Sequence, residues 1–356
     1  MPRFVVLARD FDFVSMARQA ENDESPKHIL GDVCARLGAT VVSPSTCAAP
    51  SRPWRLLFSA ASRFYSNVGV WSVAHSVARR VKTGELIYAT GEDLGFTVAF
   101  LTMLRRKRPA LVVSVMWPER VRPTKLLLAL KRRVTSFVVI SDHKARRLRE
   151  LGGSTCPAVL VLPAVIDLKF FSPIEAPHHH DPPLVVSAGL VDRDYVTLAE
   201  AVEDIPVLVD VCAMSSMPSG LAAPVYPKRL PANMTIGHQS LKELRNMYRA
   251  ACLTVVPLIA DNQGSGLTVV WEAMACGCPV VATATAGDLA EYAARGLIIG
   301  VAPENPAAMH ETIEAALADP TRLSAMADQA RAFVAERFND QHYVDILTRN
   351  LVAAEF

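Results

Sequence analysis

The sequence has no apolar run near the roughly 20 residues that a membrane-spanning helix needs. Runs such as Leu111 to Val113 and Leu126 to Leu130 are five residues or shorter. The first nine residues contain two arginines and no small-residue cleavage site, which is unlike a secretory leader. The seven cysteines are odd in number and contain no C-x-x-C pair, which argues against a disulfide framework and against a zinc site. We therefore expect a cytoplasmic protein that does not span a membrane.

Several nucleotide-binding and hydrolase motifs are also missing. The turn after the first apolar run, residues 9–14, has no glycine, so no dinucleotide-binding G-x-G-x-x-G loop follows it. The chain has no P-loop, no G-x-S-x-G and no H-E-x-x-H. These absences disfavour an NAD-dependent enzyme. At the level of motifs they also exclude a P-loop ATPase, an α/β-hydrolase and a zincin.

Short Val- and Ile-rich runs, separated by segments with helical spacing, recur along the whole chain. They cover residues 4–8, 39–43, 86–89, 111–115, 136–140 and 159–162, then 184–188, 207–211, 234–236, 253–257, 279–282 and 297–300. Apolar runs of this length between helices are typical of buried parallel strands. Because 356 residues suit two domains, we predict an α/β fold with two Rossmann-like, doubly wound domains.

A proline- and histidine-rich stretch marks the predicted domain boundary. Ser172-Pro173 and the sequence Pro-His-His-His-Asp-Pro-Pro over residues 177–183 cannot continue a helix or a central strand. We predict an N-terminal domain over residues 1–170, a linker over 171–183, a second domain over 184–340 and a terminal helix over 341–356.

Charge is distributed unevenly between the two halves. Residues 1–170 contain 26 Lys and Arg against 13 Asp and Glu, whereas the rest contains 11 against 22. A basic front half attracts anionic surfaces such as phospholipid headgroups. Residues 54–82 interleave aromatic and aliphatic side chains with cations, which indicates either an interfacial amphipathic stretch or a helix pair packed in the core. We expect no nucleic-acid partner.

A glycine-containing loop after the run 253–257 carries the strongest chemical signal. Gly264 and Gly266 precede a short helical segment that ends at Gly277. Backbone amides at such a helix start, with glycines that permit close approach, form an anion site suited to a diphosphate. Glu272, farther along that segment, is placed to accept hydrogen bonds from two ribose hydroxyls. The alternative is an ordinary strand–loop–helix connection with a cap.

The run from Gly266 to Ala282, with its Glu-Ala-Met-Ala-Cys-Gly-x-Pro-Val-Val-Ala pattern, resembles the donor-binding segment of family 4 glycosyltransferases. Residues 161–173, 185–193 and 234–257 are similar to other segments of that family. The resemblance implies a GT-B fold with two domains facing a cleft. It also implies a retaining transfer from a nucleotide sugar, with a UDP-sugar expected. By the same resemblance, the helix over 341–356 crosses back to the N-terminal domain.

The resemblance also assigns roles to residues of the second domain. Arg193 is the expected cation for the donor diphosphate, with Lys228 or Arg229 as a supplement, and Glu272 is expected to bind the ribose. The amides of Gly264, Ser265, Gly266 and Leu267 and the Thr268 hydroxyl complete the site. The family's first glutamate would fall at Gly264 and is missing, so Asp261, Asn262 or Gln263 takes its place and the donor sugar stays open. We expect no metal and no cofactor, because a cation and a helix terminus neutralise the diphosphate.

The acceptor side is less defined by sequence. Glu92 and Asp93 follow the run 86–89, so they are expected at a strand's carboxyl end and as contacts for an acceptor hydroxyl. The acceptor is a small molecule or a lipid, and a lipid would fit peripheral attachment to the inner face of the plasma membrane. Two other functions remain open: a sugar-nucleotide epimerase or hydrolase of similar fold, and a non-catalytic relative that binds nucleotide or membrane.

Overall fold

A computed structural model describes nearly all of the chain. The described residues are 4–8, 13–82, 84–106, 108–163, 165–174, 180–213, 223–260, 265–338 and 340–354. They form two compact units. The first comprises Met1–Ala17, His28–Val165 and Asp340–Phe356, and the second comprises Arg18–Lys27 and Ile166–Asn339.

The first unit is built on a six-stranded parallel sheet. Its strands are β1 (Phe4–Leu7), β2 (Thr40–Val42), β3 (Leu86–Ala89), β4 (Ala110–Ser114), β5 (Ser136–Val139) and β6 (Ala158–Val161). The strand order is β2-β1-β3-β4-β5-β6. The helices around this sheet are α1 (Phe13–Glu21), α2 (Leu30–Leu37), α3 (Arg52–Ser62), α4 (Val68–Arg80), α5 (Glu92–Leu101), α6 (Val121–Ala129) and α7 (Asp142–Gly152), together with the terminal α14 (Asp340–Ala353).

The second unit is built on another six-stranded parallel sheet. Its strands are β7 (Leu184–Ala188), β8 (Leu208–Cys212), β9 (Met234–Gly237), β10 (Leu253–Val256), β11 (Val280–Thr283) and β12 (Ile299–Val301), in the order β12-β11-β10-β7-β8-β9. Its helices are α8 (Tyr195–Val202), α9 (Leu241–Ala250), α10 (Leu267–Ala275), α11 (Gly287–Ala294), α12 (Pro306–Leu317) and α13 (Pro320–Arg337).

The central strands are buried because helices cover both faces of each sheet. Successive side chains of a strand point to opposite faces. In the first unit Val5 and Ile87 therefore join one apolar cluster, while Val6 and Tyr88 join another that includes α14. Each apolar run singled out in the sequence forms one of the twelve strands. The predicted fold of two doubly wound domains is confirmed.

The division into units differs from the predicted domain boundaries. Residues 166–170 and the segment 18–27 belong to the second unit, although the sequence assigns both to the first domain. The Asp23 carboxylate accepts two hydrogen bonds from Arg245, at 2.5 and 2.9 Å. The Lys27 backbone N–H donates to Asp167, and the Arg245 guanidinium lies over the Phe170 ring, 4.4 Å from its centroid. The two hydrogen-bonded pairs are 140 and 222 positions apart in the chain, and local patterns do not reveal such contacts.

None of the described helices combines the length and the apolar character that a membrane crossing requires.

Candidate functional site

In the second sheet the strand order reverses between β7 and β10, which lie side by side and parallel. Two loops leave the carboxyl ends of these strands, one over residues 189–194 and the other over 257–266. In open α/β sheets, ligands bind in the crevice at this kind of switch point. The two loops therefore define where a ligand site is expected, and most of the site residues predicted from sequence lie on them or on α10.

The start of α10 has a backbone that favours glycine. Gly266, the N-cap, has φ +90°, and a Cβ at this position would lie 3.1 Å from Cγ1 of Val256. No side chain caps the helix, and Val270 N–H donates to the Gly266 carbonyl. The amides of Leu267, Thr268 and Val269 come before that bond in the helix, so they point out of its positive end. This is the geometry of an anion site.

Asp192 holds both ends of the second loop. Its backbone carbonyl accepts a hydrogen bond from Ile259 N–H at 3.1 Å, and its carboxylate accepts one from the Ser265 hydroxyl at 2.5 Å. Asp194, two residues further along, donates its N–H to the Pro257 carbonyl. Its side chain caps α8 by accepting a hydrogen bond from the Thr197 N–H. The backbone on either side of residues 261–264 is thereby fixed to the loop that follows β7.

Arg193 lies inside the first loop, with only 3% of its surface exposed. Its Nε donates to the Ala188 carbonyl at 2.8 Å and its Nη1 to the Val191 carbonyl at 2.7 Å. Gly189 has φ +99°, and a Cβ there would lie 2.6 Å from Nη2 of Arg193, so the glycine makes room for the guanidinium. Burial lowers the pKa of Arg193. The side chain is a sequestered positive charge beneath the loop.

Glu272 projects from α10 into a buried environment and is 9% exposed. Its Oε2 accepts a hydrogen bond from the Tyr248 hydroxyl of α9 at 3.3 Å. Burial raises the pKa of Glu272 to about 8, and the bond from Tyr248 lowers it in part. Tyr248 thus holds a carboxyl group that the sequence assigns to the site.

The other predicted donor-site residues fall into three groups. Ser265 and Leu267 are buried, and the Ser265 hydroxyl is engaged by Asp192. Thr268 and Lys228 are exposed. Lys228 follows a segment in which Val225 pairs with the backbone of Arg193 and Tyr195, which brings it toward the first loop. Gln263, Gly264 and the alternatives Asp261 and Asn262 lie outside the described residues.

The two predicted acceptor residues have structural partners in the first unit. Glu92 is buried at the start of α5, and its Oε1 accepts hydrogen bonds from the amides of Met116 and Trp117 at 2.6 and 2.7 Å. Burial raises the pKa of this carboxyl. Asp93 accepts a hydrogen bond from the Ser66 hydroxyl at 3.0 Å. Glu92 therefore positions the loop after β4, and the assignment of both residues to an acceptor stays a prediction.

Sequence patterns did not identify Tyr248 or Asp192 as site residues. Tyr248 is part of the apolar stripe of α9 and reads as a core residue. The available signal was its hydroxyl, because a buried tyrosine needs a hydrogen-bond partner. Asp192 has φ +55° and bonds a loop 73 residues away, and neither property is readable from its neighbours in sequence.

Comparisons with known proteins identify relatives of this chain. Residues 230–333 match the family model for glycosyl transferases group 1. A D-inositol 3-phosphate glycosyltransferase 1 from Catenulispora acidiphila is 32% identical over 216 residues, which covers 53% of this chain and 50% of the relative. The chain therefore aligns with about half the length of that curated relative.

Solved structures resemble the chain over nearly its full length. Sucrose-phosphate synthase from Thermosynechococcus elongatus has a TM-score of 0.70 at 19% identity and covers 99% of this chain and 100% of its own. HepE from Anabaena, solved with UDP and glucose, has a TM-score of 0.67 at 15% identity with the same coverage. At these identities the likeness establishes the fold. The fold and its switch-point loops define the GT-B class.

The family match over residues 230–333 and the curated relative both show similarity to glycosyltransferases, and the solved structures share the GT-B fold. The resemblance to family 4 glycosyltransferases drawn from the sequence is confirmed.

Proposed function

We propose that this protein transfers a sugar from a UDP-sugar donor to an acceptor hydroxyl with retention of the anomeric configuration. The main supporting observation is the pairing of the helix start at Gly266 with the buried Glu272 on the same helix, α10. The HepE structures solved with UDP and glucose and with UDP-glucose support the donor class.

The donor is oriented by α10 and the loop before it. Its diphosphate accepts hydrogen bonds from the amides of Leu267 and Thr268, with the positive end of the helix behind them. The ribose hydroxyls donate to the Glu272 carboxylate. Ser265 contributes through its backbone and through the bond that anchors the loop to Asp192.

The reaction breaks the bond between the anomeric carbon and the diphosphate oxygen and forms a bond to the acceptor oxygen on the same face. The acceptor proton passes to the departing diphosphate. Negative charge therefore grows on the leaving group in the transition state, and the helix amides and the buried positive charge of Arg193 stabilise it. Lys228 is the supplementary cation. We propose that no metal takes part, so a chelator leaves turnover unchanged.

The acceptor hydroxyl belongs to a lipid or lipid-linked molecule, with the enzyme held at the inner face of the plasma membrane. Support comes from the first unit, where apolar and basic side chains are exposed together on α3. Glu92 and Asp93 are the proposed acceptor contacts in that unit.

A donor panel tests the proposal. Calorimetry with UDP and UDP-sugars, followed by mass spectrometry of products formed with cell lipid extract, should give UDP binding and a glycosylated product. Nuclear magnetic resonance of the product determines whether configuration is retained. UDP release that does not depend on an acceptor would favour the epimerase or hydrolase function, and no binding at millimolar UDP would end the enzyme proposal.

A further inference from the structure

The chain contains a long stretch without negative charge. Residues 33–84 include no Asp or Glu and seven Lys and Arg: Arg36, Arg52, Arg55, Arg63, Arg79, Arg80 and Lys82. Helices α3 and α4 both lie in this stretch. These seven cations have no carboxylate within the same stretch of sequence. A surface that they form therefore attracts anions.

The structure shows that α3 and α4 differ in burial, which the sequence could not reveal. The apolar residues of α4, including Val70, Trp71, Val73 and Val77, are buried in the core of the first unit. On α3 the only buried side chain is Phe58. Contacts between aromatic rings attach α3 to α4. The ring centroids of Trp54 and His75 are 4.2 Å apart, and those of Phe58 and Trp71 are 6.2 Å apart.

The opposite side of α3 exposes apolar and basic groups together. Leu56 is 67% exposed, Leu57 is 54% exposed, and Phe64 in the following turn is 78% exposed. Arg52, Leu56 and Ala60 recur every four residues and Arg63 follows three residues later, so all four lie on one helix face. Large exposed apolar side chains in a group mark an interaction surface.

We propose that α3 and the turn over residues 63–66 dock the protein on an anionic phospholipid bilayer. This inference specifies the surface through which the proposed membrane association occurs, and in that respect it rests on the proposed function. Leu56, Leu57 and Phe64 enter the boundary between headgroups and acyl chains. The guanidinium groups of Arg52 and Arg63 contact lipid phosphates while their stems lie along the apolar surface.

The distribution of charge favours a bilayer over a second copy of the chain. In a two-fold symmetric contact through α3, the same surface would face itself. Arg52, Arg55 and Arg63 would then oppose their own counterparts, and the stretch 33–84 supplies no carboxylate to neutralise them. Phosphate groups spread over a membrane surface match cations that alternate with leucines on one helix face.

Vesicle flotation of the full chain tests the proposal with two triple variants. The first replaces Leu56, Leu57 and Phe64 by Ser, and the second replaces Arg52, Arg55 and Arg63 by Gln. The matched control replaces Leu208, Leu230 and Val352 by Ser, which are also exposed apolar residues but lie outside α3. Vesicles contain phosphatidylcholine alone or with phosphatidylglycerol, and circular dichroism checks that each variant is folded.

The wild type should bind phosphatidylglycerol vesicles much better than pure phosphatidylcholine vesicles. The arginine variant should lose about fivefold in partitioning for each guanidinium removed, and the apolar variant should lose at least about tenfold. The control variant should bind like the wild type. Added salt should weaken the wild type, because it screens the arginines.

Three results would overturn the inference: no binding of the wild type, unchanged binding of the folded apolar variant, or self-association of the wild type that the apolar variant abolishes. Calorimetry with UDP on the same variants keeps the two proposals separate. Loss of vesicle binding with unchanged UDP affinity supports the docking surface, whereas absence of UDP binding in every variant counts against the proposed function alone.

Discussion

Helices α3 and α10 are both short and rich in apolar residues, yet they are placed in opposite ways. Eight of the nine residues of α10 are buried, and one of these is the carboxylic acid Glu272. On α3 only Phe58 is buried, and two leucines are exposed between arginines. A buried ionisable group and a group of large exposed apolar side chains are the informative exceptions in a folded protein.

The two exceptions point to different kinds of recognition. The buried acid of α10 is held by Tyr248 at a defined position and suits one ligand bound in one orientation. The exposed leucines of α3 have few fixed neighbours and suit a fluid surface without a single geometry. Substitutions at the site in the second unit should therefore change nucleotide binding and turnover, and they should leave vesicle binding unaffected.

The largest effect is expected for Arg193→Ala. Loss of the buried positive charge should lower kcat by about 100- to 1,000-fold, with a smaller effect on donor affinity, because charge on the diphosphate grows in the transition state. Steady-state kinetics with a UDP-sugar measures the split. Arg193→Lys, which keeps the charge and loses the planar fork, should recover part of kcat. A loss confined to affinity would contradict the role given to Arg193.

Glu272→Ala should weaken UDP binding by at least about tenfold, since each charge-assisted hydrogen bond to the ribose contributes about 1.5–3 kcal/mol. Calorimetry measures the change. Glu336→Ala, an exposed glutamate of α13, is the matched control and should bind UDP like the wild type. Unchanged UDP affinity in Glu272→Ala would refute the ribose contact.

Donor affinity should also depend on pH through Glu272. Burial raises its pKa to about 8, whereas hydrogen bonds from ribose hydroxyls favour the carboxylate and lower it. Binding therefore releases a proton. Affinity for UDP-glucose should rise with pH, by at most about tenfold per pH unit, and level off above the raised pKa. UDP-glucose is the suitable probe because its diphosphate does not titrate near neutrality. Glu272→Gln should remove the slope, and a slope that survives would assign it elsewhere.

The raised pKa of Glu272 also makes the free energy of unfolding depend on pH. The folded state holds the Glu272 proton more tightly than the unfolded state does, since the pKa is raised from 4.5 to about 8. The stabilisation is fully present below the unfolded pKa and is lost as the pH rises through the folded one. Denaturant unfolding should show a falling free energy of unfolding over this interval, with a shallower fall in Glu272→Gln. Equal slopes would place the carboxyl in a less buried site.

The smallest effect is expected for the bond between Asp192 and Ser265. A double-mutant cycle with Asp192→Asn and Ser265→Ala should give a coupling of about 1 kcal/mol in UDP-glucose affinity, because both residues anchor the same loop. Denaturant unfolding of the four proteins separates this coupling from overall stability. Additive effects on affinity would mean that the loop is held by its backbone bonds alone.

Local patterns were sufficient for several parts of the fold and the site. The twelve apolar runs form strands because central strands of a covered parallel sheet are apolar on both faces. The start of α10 was readable because Gly266 and the helical segment after it are adjacent in sequence. Glu272 was readable for the same reason, since it lies on the same short helix.

Other parts were not readable because they depend on residues distant in the chain. The segment 18–27 belongs to the second unit through Asp23 and Arg245, which are 222 positions apart. The burial of Arg193, whose guanidinium bonds the carbonyls of Ala188 and Val191, depends on how the folded loop encloses the side chain. The composition of residues 54–82 could not show that α4 is buried and α3 is exposed, because both helices mix apolar and basic residues.

Residues close together in the chain were enough to predict the parallel strands, the helix that begins at Gly266 and the acid at position 272, because each is marked by a local pattern. The neighbours of those residues became known only from the folded chain. Tyr248 reaches Glu272, Asp192 reaches Ser265, and α3 is left uncovered, since such contacts arise when the chain brings distant segments together and buries some of them at the expense of others.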